Sequence, residues 1–417
     1  MKVYLETYGC TLNRADSDIM EGVLREGGHS IAFSPEDADV VLLNTCTVKG
    51  RTENRIIFRI GALAAAGKPL VIAGCLGINE KRVRTACPKA VIVHPGAVAR
   101  ICEAVAHALQ GKSSVFAELG KKEGLARAYT APILRIPIQE GCVGNCSFCQ
   151  TKLARPELLS YSIPWVKSWV EEGLRRGAKE VQLTGMDAGA YGLDIGTDLL
   201  SLLREVDSIE GDFRVRMGMI NPGHAKRMLP GLLDVFSSEK FYKFFHLPVQ
   251  TGSEKVRGEM NRAHTVADFR EVVDGVRTAF PEAVIATDII VGYPTEAEED
   301  FAETKKLIEE VKPDIVNISK FASRRGTAAA ELPEIHTAEV KRRSTELTPL
   351  VQRIGEEKNR EYIGRELDVL VTELQKTPTG RAFNYKQVCV QGDASLGSRV
   401  KVKIEDANHG SLMGRPA

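Results

Sequence analysis

No apolar run in this chain approaches the roughly 18 residues that a membrane-spanning helix requires, which excludes an integral helical membrane protein. The N-terminus, MKVYLETYGC, enters a strand pattern without the apolar core of a secretory signal, so a cytoplasmic location and no membrane partner are expected. Excess charge is missing too. With 56 Lys and Arg against 55 Asp and Glu, the formal net charge is +1, which excludes a uniformly basic surface and makes any nucleic-acid partner a matter of local placement. Low-complexity tracts and short-period repeats are also absent, which excludes solenoid and fibrous architectures. What is present is a globular composition, 43% hydrophobic and 27% charged. At 417 residues it exceeds what one core usually supports, so two or three domains are expected. Nine cysteines in a reducing compartment argue against disulfides and for metal or redox chemistry wherever they cluster.

Up to about residue 112, short apolar strands (VYLETYG, DVVLLNT, PLVIAG, AVIVHP) alternate with helical stretches such as RIIFRIGALAAAG and AVARICEAVAHALQ. This alternation predicts an N-terminal parallel α/β sandwich over 1–112. Residues 113–131 are polar and aperiodic and read as a linker. Over 132–336, six strands (LRIPIQ, EVQLTG, FRVRMGMI, FFHLPVQ, VIATDIIVG and DIVNISKF) alternate with helical segments. That pattern predicts a partial (βα)6 barrel of the TIM type with its site at the strands' C-terminal ends. Residues 337–361 read as a charged connecting helix, and 362–417, with LDVLVTEL, QVCVQG and RVKVKIED, as a small antiparallel β-barrel. The chain is thus expected to be a multidomain α/β protein.

The segment EGCVGNCSFCQ follows the first barrel strand and sets Cys142, Cys146 and Cys149 in CxxxCxxC spacing. Three thiolates on one loop can hold three irons of a 4Fe-4S cube and leave the fourth iron open to a ligand. A structural zinc site is the alternative, but zinc normally takes four protein ligands and no fourth Cys or His lies near this loop. With Phe148 directly before the third cysteine, the motif resembles that of the radical S-adenosylmethionine superfamily. The resemblance implies that S-adenosylmethionine chelates the open iron and is cleaved to a radical that abstracts hydrogen from an unactivated C–H bond. It also implies cofactor contacts at Phe148, at Thr184, Gly185, Met186 and Asp187 on the second strand, at Arg216, Gln250 and Asp288, and at Val291 against the adenine. A turn or cap is the ordinary alternative for each polar one.

A second triplet is spread along the N-terminal region. Cys10, Cys46 and Cys75 each follow a strand directly, and in a parallel sheet all strand C-termini share one edge, so distant cysteines can converge on one metal site. Buried packing cysteines are the alternative. Cys87, Cys102 and Cys389 lack this placement and read as packing residues, and His94, after the fourth strand, as a capping or surface residue.

With YGCTLNRADS, NTCTVKG, AGCLG, GCVGNCSFCQTKLARPEL, LTGMDAGAYG, HLPVQTGS, TDIIVGYPTE and RRGTAA, the chain resembles the methylthiotransferases of that superfamily from residue 1 to about 416. NTCTVK, TKLARPEL and DAGAYGLDIGTDLL are most similar to the archaeal and eukaryotic branch that acts on threonylcarbamoyladenosine in tRNA. The resemblance implies an auxiliary 4Fe-4S cluster on Cys10, Cys46 and Cys75 that supplies or carries sulfur. It also implies S-adenosylmethionine as both methyl donor and radical source, and a C-terminal TRAM domain that binds RNA. The expected partners are a tRNA anticodon loop, an electron donor and a sulfur donor. Related branches act on isopentenyladenosine or on a ribosomal-protein aspartate, and a non-catalytic iron-sulfur RNA-binding protein is the non-enzyme alternative. Charge in the last domain is nearly balanced, so RNA binding there would rest on Arg381, Lys386, Arg399, Lys401 and Lys403. Threonylcarbamoyl carries a carboxylate, which calls for a cation. Lys152 and Arg155 after the cluster loop, and Arg324 and Arg325 after the sixth strand, are the candidates, with phosphate contact or plain surface charge as the alternative for each.

Overall fold

The computed structural model describes residues 1–47 and 50–417. Its N-terminal domain is a six-stranded, all-parallel sheet of β1 (Lys2–Thr7), β2 (Ser30–Ile31), β3 (Val40–Thr45), β4 (Leu70–Gly74), β5 (Val91–Val93) and β6 (Val115–Phe116) in the order β2-β1-β3-β4-β5-β6. The central strand shows why its sequence is continuously apolar. Val40 and Leu42 enter the core beneath helices Thr11–Glu26 and Ile101–Leu109, while Val41 and Leu43 enter the core beneath Gly50–Ala65 and Glu80–Ala86. Both faces are covered, so alternate residues have no solvent side to address. β6 lies inside the stretch read as a linker, where its Val115 and Phe116 pair with Ile92 and Val93. Two paired residues are too short a run to register as a strand pattern.

Six parallel strands form the central barrel: β7 (Ile133–Pro137), β10 (Glu180–Thr184), β11 (Arg214–Met217), β12 (Phe244–His246), β13 (Val284–Val291) and β14 (Ile315–Lys320). They hydrogen-bond as two three-stranded sheets, β11-β10-β7 and β12-β13-β14. A bridge between Val215 and Phe241 joins them, with Val215 N donating to Lys240 O at 2.7 Å and Tyr242 N to Val215 O at 3.0 Å. A short antiparallel pair, β8 (Gln139–Glu140) with β9 (Leu159–Ser160), brackets the cysteine loop. One core under the surrounding helices spans both halves, and it includes Leu347 and Ile354 of the long helix Thr337–Arg360.

The C-terminal domain closes as a five-stranded barrel of β15 (Glu366–Leu374), β16 (Pro378–Arg381), β17 (Gln387–Val390), β18 (Arg399–Ala407) and β19 (Leu412–Pro416), in the order β15-β16-β17-β19-β18. Four of its pairings are antiparallel and β17–β19 is parallel. Directions cannot alternate around a closed ring with an odd number of strands, so one parallel neighbour is required. No helix among the described residues is long and apolar enough to cross a membrane.

Candidate functional site

The loop between β8 and β9 presents Cys142, Cys146 and Cys149. Gly141 makes the entry turn possible: its φ is +65°, and a Cβ there would sit 1.7 Å from the Glu157 carbonyl oxygen of the returning strand. The loop is then tied down from several directions. Ser147 Oγ donates to Glu259 O at 2.9 Å, Ala329 N to Ser147 O at 2.8 Å, and Asn261 Nδ2 to Asn145 O at 2.8 Å. Gly144 N donates to Cys142 Sγ at 3.2 Å, and Arg262, whose Nη2 is anchored on Pro248 O, offers Nη1 to Cys146 Sγ at 3.4 Å. Burial pushes the Cys142 thiol up to about 11, with the neighbouring Asp187 charge and the other two thiols adding to it, and burial raises Cys149 as well. Burial that disfavours the Cys142 and Cys149 thiolates suits a polynuclear cation beside the three thiols, whose charge offsets that cost. Among the described residues no three His, Cys, Asp or Glu side chains close tightly enough around one point for a single metal ion. Three thiols on one loop suit a cluster that keeps one corner open, whereas a zinc ion normally takes four protein ligands.

At the C-terminal edge of the N-terminal sheet, Cys10 caps the helix Thr11–Glu26, Cys46 follows β3, and Cys75 opens the short helical turn after β4. The three approach closely. A Cβ on Gly9, whose φ is +116°, would lie 2.8 Å from Cys46 Cβ and 3.2 Å from its Sγ. Burial pushes the Cys75 thiol up to about 12, against a lowering by Arg155, and the charges of Cys10 and Cys46 push the same way as burial. Asn13 holds the three strand ends together: its Nδ2 donates to Tyr8 O at 3.1 Å and Thr45 O at 2.7 Å, and its Oδ1 accepts from Cys75 Sγ at 3.8 Å. This edge also fits a cluster on three thiolates. His94 caps the turn Pro95–Arg100 and packs toward Gly77. Cys87 sits in the core, Cys102 Sγ donates to Val23 O at 3.5 Å, and Cys389 is half-buried in β17.

The two edges face each other across a buried ionic network. Arg155 pairs with Glu140, which precedes the barrel loop, and with Asp16 of the N-terminal domain, and its Nη2 donates to Asn13 Oδ1 at 3.3 Å. Lys122, fully buried in the stretch read as a linker, bonds Glu140 at 2.6 Å and also Asp16. Asn13, Asp16, Lys122 and Glu140 escaped the sequence reading because network partners lie up to 142 residues apart.

The chain matches three family models: Uncharacterized protein family UPF0004 over 2–93, Radical SAM superfamily over 136–308, and TRAM domain over 360–417. It is 44% identical to the probable threonylcarbamoyladenosine tRNA methylthiotransferase of Archaeoglobus fulgidus, across 100% of this chain and 99% of that protein. The threonylcarbamoyladenosine tRNA methylthiotransferase of Xenopus laevis is 36% identical across 100% of this chain and 77% of that protein. This chain belongs to the threonylcarbamoyladenosine tRNA methylthiotransferase family. In fold it also resembles solved radical S-adenosylmethionine enzymes. The methyltransferase TsrM of Kitasatospora setae, with cobalamin and a [4Fe-4S] cluster bound, superposes with a TM-score of 0.57 at 13% identity, covering 79% of this chain and 77% of that one. Cobalamin-dependent OxsB superposes with a TM-score of 0.52 at 11% identity, covering 83% and 56%.

On this methylthiotransferase the expected cofactor residues divide. Thr184 ends β10 and Gly185 and Met186 follow it, with Thr184 O accepting from Ile138 N at 2.8 Å and Gly185 close to Gln139. Phe148 and Ile290 both pack against the buried cluster of Val256, Met260, Tyr293 and Ala329. Gln250 adopts φ +75° and exchanges backbone hydrogen bonds with Asp288 O and Ile290 N, each at 2.9 Å. Asp288 pairs with His246 Nε2 at 2.9 Å and accepts from Asn317 Nδ2 at 2.9 Å. Arg216 lies over the rings of Phe244 and Tyr385, and its buried Nε has no hydrogen-bond partner among the described residues. Two others are committed to internal hydrogen bonding or packing. The Asp187 carboxylate is used within the protein, accepting from Gly189 N at 3.2 Å and Asn221 N at 3.0 Å and lying 3.2 Å from His224 Nδ1. Val291 is fully buried in the helix-facing core, because alternation along β13 turns Asp288 and Ile290 toward the lumen and Ile289 and Val291 away from it.

Three of the four cations expected to serve substrate also make contacts within the protein. Arg155 is the buried strut described above. Lys152 Nζ donates to Cys142 O and so braces the cluster loop. Arg324 Nη1 donates to the buried Glu53 carboxylate at 2.6 Å, which ties the barrel to the N-terminal domain. Arg325 is exposed at the rim of a cleft of about 890 Å³ that runs between the two domains past Gln150, the residue after Cys149. In the last domain, Arg399 pairs with Asp212 and Asp368, Lys386 with Asp314 and Asn359, and Arg381 stacks on Tyr385. Lys401 and Lys403 remain on the exposed face of β18.

Proposed function

We propose that this methylthiotransferase converts N6-threonylcarbamoyladenosine beside the tRNA anticodon to its 2-methylthio derivative, with Cys142, Cys146 and Cys149 holding the radical cluster and Cys10, Cys46 and Cys75 the auxiliary one. The observation that carries this reading is that the two thiol triplets are linked across the domain boundary through Asn13, Arg155 and Glu140. When bound, the clusters and S-adenosylmethionine supply reductive cofactor cleavage, hydrogen abstraction at an unactivated C–H, and sulfur for the new C–S bond. The chain's own residues position these groups. Lys152 and Arg262 hold the barrel loop, Asn13 gathers the auxiliary strand ends, and Arg216, with a buried donor left unpartnered, would offer a cationic contact to S-adenosylmethionine in the lumen. Turnover further needs an electron donor and a source of sulfur. Arg325, exposed beside Gln150, is the cation best placed for the threonylcarbamoyl carboxylate. Mass spectrometry of tRNA nucleosides after anaerobic reaction tests the assignment. Wild type should thiolate threonylcarbamoyladenosine tRNA, and Arg325→Ala should lose roughly tenfold or more in kcat/KM on it while binding tRNA without the modification normally. Efficient thiolation of isopentenyladenosine tRNA instead, with none of threonylcarbamoyladenosine tRNA, would refute it.

A further inference from the structure

The C-terminal barrel reaches into the radical barrel. Between β16 and β17 it extends a turn carrying Tyr385, whose ring enters the lumen at the N-terminal end of the parallel strands. Tyr385 Oη donates to Glu180 Oε1 at 3.1 Å and accepts from Gln182 Nε2 at 3.1 Å, and Tyr242 Oη donates to the other Glu180 oxygen at 3.1 Å. The ring meets Tyr242 edge-on at 4.9 Å between centroids and Phe244 at 5.2 Å. Neighbours lock the turn in place: Lys243 N donates to Phe383 O at 3.0 Å, Asn384 Nδ2 to Glu282 O at 2.9 Å, and Lys386 Nζ to Asp314 Oδ1 at 3.1 Å. Tyr385 has φ +68°, a conformation a tyrosine keeps only where its surroundings enforce it.

Arg216 stands directly above this plug. It is the register partner of Gln182 on the adjacent parallel strand, so both side chains share the lumen face. Its guanidinium carbon lies 5.4 Å from the Tyr385 centroid and 5.2 Å from that of Phe244, and its Nε is the buried donor without a partner noted above. A cation stacked on two rings, with a buried donor left without a partner among the described residues, suits an anion bound in the lumen.

We infer that Tyr385 is a positioning residue for S-adenosylmethionine: the C-terminal domain supplies the floor of the radical barrel, and this side chain holds Arg216 toward the cofactor. The inference rests on the reading that Arg216 contacts S-adenosylmethionine, and it gives the last domain a role in the chemistry besides RNA binding. The test uses full-length, anaerobically reconstituted protein without tRNA, measuring S-adenosylmethionine Kd by equilibrium dialysis and 5′-deoxyadenosine release, with iron content and tRNA Kd measured alongside. Removing a ring that supports a cation and a hydrogen-bonded hydroxyl should raise Kd about tenfold in Tyr385→Leu, and removing the hydroxyl alone about threefold in Tyr385→Phe. Iron content and tRNA Kd should stay at wild-type levels. Arg216→Gln should weaken binding at least as much, and the Arg216→Gln, Tyr385→Leu double variant should be no weaker than Arg216→Gln alone, because Tyr385 acts through Arg216. Wild-type Kd in Tyr385→Leu beside a weakened Arg216→Gln, or additive losses in the double variant, would overturn the positioning role. Unchanged Kd in Arg216→Gln would instead remove the contact beneath it. If Tyr385→Leu does not fold, unchanged Kd in Tyr385→Phe overturns the inference.

Discussion

Arg155 illustrates how a residue's chemistry can be read correctly and its address missed. A cation after the cluster loop suits an anionic substrate by type, yet its planar fork is spent on Asp16, Glu140 and Asn13 inside the protein. With Lys122 it forms a four-membered network of two acids and two bases that is nearly dry. Such a network is balanced only when complete, because each remaining charge would otherwise be buried unpaired. Arg155→Met should therefore cost about 3 to 5 kcal/mol by urea denaturation, and Arg155→Lys, which keeps the charge but loses the fork, should cost less. Burial alone would raise the Asp16 carboxyl, but Arg155 and Lys122 outweigh it and hold it below the ordinary 3.8. A depressed folded-state value means the contribution is fully present above about pH 4 and fades only in stronger acid. The deficit of Arg155→Met should accordingly be undiminished from pH 8 down to 5, and a deficit that disappeared across that range would rule out this account.

At the scale of elements, periodicity was informative wherever a strand had two distinguishable faces or a helix followed. All six barrel strands lie where alternating apolar segments placed them. Side-chain parity was harder to assign: residues 289–291 put apolar side chains on both sides of the pleat, and it is their membership of different clusters that separates Ile290 from Ile289 and Val291. The cluster loop was recognisable by cysteine spacing, whereas its closure by β8 and β9 depends on pairing across the loop. Gly141 is the position where that closure is most demanding. Gly141→Ala should displace the returning backbone at Glu157, lose about four of the roughly eight irons of the reconstituted protein and abolish cofactor cleavage, leaving the auxiliary cluster in place. Retention of both clusters and of 5′-deoxyadenosine formation would show that the loop tolerates a Cβ there.

On the scale of the whole molecule, the C-terminal domain is fastened to the barrel by Arg399 to Asp212, Arg365 to Glu282 and Lys386 to Asp314 as well as by Tyr385. Much of its positive charge is therefore committed to docking. Lys401 and Lys403, two apart on β18, are exposed on one face and suited to phosphate. Replacing both with alanine should weaken tRNA binding and reduce the slope of log affinity against log salt by about 1 to 2, with cofactor cleavage unaffected. An unchanged salt slope would assign the RNA contacts to another surface. Truncation near Gly364, by contrast, removes Tyr385 together with the TRAM domain, so cofactor cleavage and tRNA binding should both fall.

The local sequence by itself determined the two cysteine triplets, the parallel and barrel architecture, and the family. The spacing of Cys142, Cys146 and Cys149 and the strand periodicity are short-range properties, written within a dozen residues, and Cys10, Cys46 and Cys75 are each read from the end of their own strand. Tertiary structure decided which charges remain for ligands and which are consumed in holding domains together. Arg155, Arg324, Lys386 and Arg399 have the same chemistry as the exposed Arg325, Lys401 and Lys403, and differ only in having an acid brought to them by the fold. It also decided that a tyrosine from the last domain lies beneath an arginine from the middle one, 169 residues earlier in the chain. Long-range juxtapositions of this kind leave no periodic trace, because each partner obeys the pattern of its own strand or turn.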